Sequence, residues 1–371
     1  MSRVAIVHDW LTGMRGGERV LERLIGIFPG AEIFTLVYRP GAVSPLIEAR
    51  PIHVSGLGRA PGLSRRYRFA LPLMPLAVER FDLRHYDLVI SSSHCVAKAA
   101  RAAKGAPHLC YCHTPMRYVW DRYDDYFGPG RAPAPVRAAM AVLAPRLRDW
   151  DRRTADRPTA YVANSATVRD RIRRYYGRDA AVVHPPVDIA RFRPAARRDD
   201  VYLVLGALVP YKRVDLVIEA FNRLRRPLVV VGDGPERRRL EARAGRNIMF
   251  AGHASDAEVE RLLGRCRALV HAGVEDFGIG MAEAQASGAP VIAHAGGGAL
   301  EIVRDVDRNG GCPPTGVLFE AQTVDALVDA VHRLDRQRFD PAALRANAER
   351  FAPERFTAGI RQRLAELGVR C

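Results

Sequence analysis

Residues 275–290 read Glu-Asp-Phe-Gly-Ile-Gly-Met-Ala-Glu-Ala-Gln-Ala-Ser-Gly-Ala-Pro, and Val291-Ile292-Ala293 follow directly. The apolar run Ala268-Leu269-Val270 just upstream reads as a buried strand. Gly278 and Gly280 allow close approach of the backbone to a ligand, since neither carries a Cβ. From about Ile279 the pattern turns helical, until Gly288 and Pro290 stop it and Val291-Ile292 opens another strand. The unit is therefore strand, tight glycine loop, helix, strand. A helix N-terminus so placed offers unpaired N–H groups and partial positive charge to a phosphate or a polarised hydroxyl. Glu275 precedes the helix and Glu283 lies in its first turns. Ionised carboxylates only accept hydrogen bonds, and sugar hydroxyls are matching donors.

Glu275-x7-Glu283 with Gly288-Ala-Pro-Val-Ile-Ala resembles the retaining nucleotide-sugar glycosyltransferases of family 4, which have the GT-B fold. The resemblance implies an α/β chain of two doubly wound Rossmann-like domains whose parallel sheets face a central cleft. It also implies that Glu283 holds the nucleotide ribose, that Glu275 contacts the donor sugar as a catalytic residue, and that Phe277, Gly278, Ile279 and Gly280 line the donor site. The stretch Leu208-Val-Pro-Tyr-Lys-Arg-Val-Asp215 carries the only lysine of the second half. A compact ammonium at a strand-to-helix junction suits a diphosphate. The resemblance assigns that role to Lys212, with Arg213 beside it. Many relatives place an arginine directly after the strand glycine, where this chain has Ala207; Arg213 or Arg15 would replace that contact.

Length and composition agree with two domains. The 371 residues are 48% hydrophobic, enough for two cores. The expected division is 1–190 for an acceptor-binding domain, rejoined by a C-terminal helix at 352–371, and 191–351 for a donor-binding domain. His184-Pro-Pro-Val-Asp188 and Arg191 to Asp200 read as the linker. Val4-Ala-Ile-Val7, cut short by His8-Asp9, is too brief for a signal peptide, and no run approaches a membrane span. The expectation is a cytoplasmic protein, peripheral on the inner face of the membrane. Cys110 and Cys112 share one face of a strand and read as reduced core thiols.

The net charge of +16 is uneven: residues 1–195 hold 31 Lys+Arg against 17 Asp+Glu, and residues 196–371 hold 26 against 24. A basic first half suits an anionic membrane, a phosphorylated substrate or nucleic acid, or it reflects an arginine-rich composition with no specific partner. Arg65 to Pro75 mixes arginines with apolar residues, as an interfacial surface would, or forms a loop capping the core; Pro72 and Pro75 argue against a regular helix there.

In open α/β sheets ligands bind at the carboxyl ends of strands. Gly13-Met-Arg-Gly-Gly-Glu18 follows the first strand and resembles the first glycine-rich loop of GT-B enzymes, which brings Gly16 and Gly17 to the donor and Arg15 to the acceptor. His113 follows another strand and matches a cleft-lining histidine of similar enzymes; His94 is the weaker candidate. Met116 to Tyr126 combines aromatics, arginines and aspartates, so that Arg117 and Tyr118 suit a saccharide acceptor, or a packed surface helix. Gly232 and Gly234 close a strand turn that would border the base, or form an ordinary βα turn. Asp305-Val-Asp307 follows a helix rather than a strand and reads as a surface loop.

The expected reaction moves a hexose, with mannose from GDP-mannose as the first choice, to a lipid-linked saccharide in surface polysaccharide synthesis, with retention. That donor and acceptor follow from the likeness of the Lys212 and His113 stretches to bacterial mannosyltransferases. No metal and no cofactor beyond the sugar nucleotide is expected. A GT-B epimerase is the alternative enzyme, and a nucleic-acid-binding protein the alternative of another class. The latter is disfavoured because no aromatic RNA-binding signature or helix-turn-helix stands out. A phosphorylase lacks a lysine placed for pyridoxal phosphate, and a dehydrogenase lacks a complete glycine fingerprint.

Overall fold

The computed structural model describes residues 3–59, 62, 67–308 and 310–369, without the Arg68 side chain. The chain forms two compact units, Met1–Pro186 with Glu354–Cys371, and Val187–Pro353. No described helix is long and apolar enough to cross a membrane.

The first unit is built on a seven-stranded sheet in the order β3-β2-β1-β4-β5-β6-β7. Its strands are β1 (Val4–Leu11), β2 (Glu32–Tyr38), β3 (Ile52–Val54), β4 (Leu88–Ser93), β5 (His108–Cys112), β6 (Ala160–Ala163) and β7 (Ala180–Val182). All pair in parallel. Such sheets are covered on both faces, and β1 is accordingly buried at all eight positions. Helix α1 (Gly16–Ile27) lays Val20, Leu21, Leu24 and Ile25 on one face. Each such side chain contributes about 1.5–3 kcal/mol by leaving water. The helix Pro353–Glu366 adds Phe356, Ile360 and Leu364 to the same core. On the other face lie Met140, Ala144 and Leu147 of α2 (Ala134–Arg153). Helix α3 (Ala166–Tyr176) starts at Ser165, whose hydroxyl accepts the Val168 N–H at 3.1 Å.

One buried polar knot ties α2 to the turn after β4 and to α3. Lys98 is 1% exposed. Its ammonium lies 3.1 Å from Asp151 Oδ1 and donates to the Asp151 carbonyl at 2.6 Å and Thr154 Oγ1 at 2.9 Å. Asp151 also accepts from Trp120 Nε1 at 2.8 Å and the Tyr176 hydroxyl at 2.9 Å.

Tyr67 to Val78 corrects the expectation that prolines exclude a helix. A 3-10 helix spans Tyr67–Leu73 and an α-helix Met74–Val78. Pro75 occupies the first turn, where its missing N–H has no intrahelical partner to lose. Phe69, Leu73 and Leu76 stand out as exposed apolar side chains, at 77%, 53% and 59%. Arg65 and Arg66 lie outside the described residues.

The second unit has six parallel strands in the order β10-β9-β8-β11-β12-β13. They are β8 (Tyr202–Leu205), β9 (Leu228–Val231), β10 (Ile248–Gly252), β11 (Ala268–His271), β12 (Val291–His294) and β13 (Gly316–Phe319). Helix α4 (Val214–Leu224) packs Leu216, Val217, Ala220 and Phe221 on one side. Helix α5 (Ile279–Ala286) packs Met281, Ala282, Ala284 and Ala286 on the other. Asp305 does not lie on a surface loop: it is buried, and its carboxylate accepts the Leu318 N–H at 3.0 Å. Two such parallel Rossmann-like units define a GT-B α/β fold.

Candidate active site

Each sheet has one point where the strand order reverses, β1/β4 in the first unit and β8/β11 in the second. Ligands of open α/β sheets bind beyond the carboxyl ends of strands at such points. Both clusters of candidate residues sit there.

In the second unit Lys212 follows β8 and Glu275 follows β11. Their side chains meet, Nζ to Oε1, at 3.1 Å. A Cβ on Gly206 would come within 2.5 Å of the Lys212 ammonium, so this glycine, at φ 134°, makes room for the lysine. Gly278, at φ 101°, turns the chain into α5 and stands at its N-cap, with Ile279 and Gly280 in the first turn. His271 Nε2 lies 4.0 Å from the same Glu275 oxygen. Burial, reinforced by the charge of Lys212 and opposed by Glu275, lowers its imidazole to about 4. The imidazole is thus neutral at pH 7, and the exchangeable charges are Lys212 and Glu275.

The other donor-side candidates are less uniform. Glu283 lies half-buried on α5, and its charge acts on Arg191, which pairs with Glu260 at 2.8 Å. Arg213 holds the left-handed φ of 52° at the head of α4 and reaches Asp215 and Gln322. Gly232 packs against the Gly206 carbonyl and Gly234 against the Leu208 backbone. The Phe277 ring turns into the core, 5.1 Å from Phe351, so it brings only its backbone to the loop. Lys212, Glu275 and the α5 N-terminus thus converge, while Arg213 is directed toward Gln322.

In the first unit the structure gathers Arg15, Gly16, Gly17 and His113 around residues the sequence did not single out. Arg15 is the N-cap of α1 and Gly16 its first residue. Gly17 lies against His8 and His113, to which a Cβ would come no closer than 3.5 Å. Ser92 joins the two histidines: its Oγ is 3.0 Å from His8 Nδ1 and 2.8 Å from His113 Nε2. Glu18 Oε1 faces His8 Nε2 at 3.7 Å, and its other oxygen accepts the Arg15 N–H at 3.0 Å. Burial opposes the Glu18 charge, yet contacts from His8, His94 and its own backbone hold the carboxyl below its ordinary range.

Asp9 is fully buried and accepts four backbone N–H groups, those of His94, Cys95, Val96 and Ala97, at 2.7–2.9 Å. It also lies 3.2 Å from His94 Nδ1. Burial, with the positive charges around it, lowers His94 to about 3 and places His113 well below the usual histidine range. Arg117 contributes its charge to both. Tyr118 instead packs on Tyr126, ring centroids 4.9 Å apart, beside the core. His8 and Ser92 share no sequence motif. They meet because β1 and β4 pair with His8 opposite Ser92.

Two family profiles match in tandem: "Glycosyltransferase Family 4" over residues 14–191 and "Glycosyl transferases group 1" over 188–351. The chain belongs to this family of GT-B glycosyltransferases. It is 34% identical over 174 residues to a GDP-mannose-dependent alpha-mannosyltransferase of Mycobacterium tuberculosis (strain CDC 1551 / Oshkosh), covering 43% of this chain and 44% of that one. It is 29% identical over 184 residues to the O-antigen chain mannosyltransferase C of Escherichia coli, covering 48% of each. The chain thus spans about half the length of these curated relatives. Among solved structures, Anabaena Alr3699/HepE in complex with UDP-glucose superposes with a TM-score of 0.69 over 98% of both chains, at 19% identity. That likeness is one of fold.

Proposed function

We propose that the protein transfers a hexose from a nucleoside diphosphate sugar to a hydroxyl group of a saccharide acceptor, keeping the anomeric configuration. The observation that carries this reading is the convergence of Lys212, Glu275 and the α5 N-terminus on one loop. Negative charge grows on the departing diphosphate in such a reaction, and preorganised cations and N–H groups stabilise it there. Lys212 and the first turn of α5 supply that stabilisation without a metal ion. Glu275 pairs with the Lys212 ammonium. An arriving diphosphate exchanges places with it and frees the carboxylate for the sugar hydroxyls. Glu283 accepts from the ribose hydroxyls, each such charge-assisted bond contributing about 1.5–3 kcal/mol. His113 is assigned a catalytic role, and Arg15 and Arg117 are assigned to the acceptor.

The donor proposed is GDP-mannose, supported by the two relatives named as mannosyltransferases. The test is thermal unfolding with GDP-, UDP-, ADP- and TDP-sugars beside a Glu283→Ala variant. A donor at a hundred times its Kd stabilises the folded state by about 2.7 kcal/mol. A melting shift with GDP-mannose that vanishes in the variant is the expected result. A shift with UDP-glucose alone would replace the mannosyl reading, and none with any sugar nucleotide would remove the donor site.

The acceptor proposed is a lipid-linked saccharide on an anionic inner membrane face, in surface polysaccharide synthesis. The exposed Phe69, Leu73 and Leu76 beside a basic unit support it, since apolar and cationic groups together favour a charged interface. Flotation with anionic vesicles should recover the protein at low salt and lose it in a Phe69→Ser, Leu73→Ser double variant. Equal recovery of the two would sink the idea.

A further inference from the structure

We infer that the Glu18 carboxylate, facing His8, directs a hydrogen-bond chain through His8 and Ser92 that sets the tautomer of His113, leaving its Nδ1 as the acceptor offered to a substrate hydroxyl. The inference rests on the reading above only in the last step, that His113 meets substrate.

The direction follows from counting protons. Ser92 Oγ lies within hydrogen-bond distance of His8 Nδ1 and His113 Nε2, yet carries a single proton. Accepting from both rings would turn that buried proton away from both nitrogens, so it donates to one imidazole and accepts from the other. Two arrangements are open with neutral rings, and Glu18 decides between them. At 3.7 Å its contact with His8 Nε2 is electrostatic rather than a hydrogen bond. A buried carboxylate facing an imidazole nitrogen favours the tautomer that turns N–H toward it over the one that turns a lone pair. His8 then carries its proton on Nε2 and presents the Nδ1 lone pair to Ser92. Ser92 donates to His8 and accepts from His113 Nε2–H. The remaining nitrogen of His113, Nδ1, is left unprotonated.

The parts are held for this arrangement. Ser92 and His8 are fully buried and paired in register across β1 and β4. Glu18 is fixed by the Arg15 N–H on its second oxygen, and Gly17 leaves both histidine rings clear of a side chain. His94, the third histidine, is bound to Asp9 and takes no part in the chain. Glu18, His8 and Ser92 are thus positioning residues that act through His113.

Glu18→Gln reverses the chain. The Arg15 N–H keeps the amide oxygen at the inner position. The amide NH2 then faces His8 Nε2, which must present its lone pair. His8 Nδ1–H donates to Ser92, Ser92 donates to His113 Nε2, and His113 carries its proton on Nδ1. The experiment is long-range ¹H–¹⁵N NMR of the full-length protein labelled with ¹⁵N-histidine, with His113 assigned through Cys112-His113, a Cys-His pair that occurs once in the sequence. The wild type should show a protonated Nε2 and a pyridine-type Nδ1 at His113, exchanged in Glu18→Gln. Ser92→Ala should collapse the two toward a mixture, and Ser92→Thr, which keeps the hydroxyl, should restore them. A wild-type His113 protonated on Nδ1 overturns the inference and requires no variant to fold. So does a Glu18→Gln spectrum identical to wild type. With an active donor in hand, Glu18→Gln should lower kcat about tenfold and leave nucleotide binding unchanged. The tautomer readout stands whether or not any sugar is transferred, so failure of the proposed reaction and failure of the chain are separable.

Discussion

At the residue scale, Lys212 illustrates how a charge can be kept ready without being exposed. Its ion pair with Glu275 is partly solvated, at 19% and 21% exposure, so the pair contributes little to folding. Lys212→Ala should lower the unfolding free energy by less than about 1 kcal/mol. It should weaken sugar-nucleotide binding by about 1.5–3 kcal/mol, read by calorimetric titration with GDP-mannose. A variant that unfolds early and binds normally would reverse that assignment. Lys98 is the opposite case. Its ammonium is buried against Asp151, and a buried ion pair broken on one side leaves an uncompensated charge. Lys98→Met should cost about 3–5 kcal/mol in urea denaturation. A smaller loss on replacing Asp151 as well would show that the stranded carboxylate, not the missing contact, is what destabilises.

At the scale of elements, α4 ends on Arg225, an exposed residue at φ 54° whose N–H reaches the Phe221 carbonyl at 2.9 Å. Left-handed backbone costs a residue with a Cβ about 1–2 kcal/mol, whereas glycine adopts it freely. Arg225→Gly should therefore stabilise the second unit by up to about 1 kcal/mol, after glycine's greater freedom in the unfolded chain is set against the relief. Circular dichroism across a denaturant series would detect it, and a loss of stability would place unrecognised contacts on the arginine. Much of this level could be read beforehand. The glycine loop at 278–280, the helix after it and the strand at 291 lie where local pattern puts them. Other features were hidden for physical reasons. Nothing in the Tyr67–Val78 segment tells a helix-breaking proline from one seated in a first turn. Lys98 reads as one surface charge among many until α2 covers it. The Ser92 link between His8 and His113 depends on pairing of strands 84 residues apart, which no local periodicity contains.

At the scale of the molecule, buried neutral histidines make stability depend on pH. Burial lowers His94 and His108 to about 3 and pushes His113 well down in the first unit; in the second it lowers His271 to about 4 and lowers His294 as well. Each has a folded value below its unfolded one near 6.5, so the unfolded chain binds more protons in between. Their contribution is complete above pH ~6.5 and declines as pH falls toward the folded values. The slope approaches about 1.4 kcal/mol per pH unit for each histidine. With three such groups against two, the first unit should lose protection before the second between pH 6.5 and 5. Hydrogen exchange resolved by peptide would show it, and simultaneous loss in both units would contradict it.

The helix Pro353–Glu366 has a consequence for synthesis. Phe356, Ile360 and Leu364 complete the core of the first unit, yet they leave the ribosome only after the 167 residues of Val187–Pro353. At about 5–20 residues per second, that interval lasts roughly 8–33 s. The second unit is completed only as it ends, and throughout it the first waits with the Tyr111 and Val183 face of its sheet uncovered. A nascent chain stalled just before Pro353 would thus carry an open hydrophobic groove on its first unit, the shape a chaperone grips.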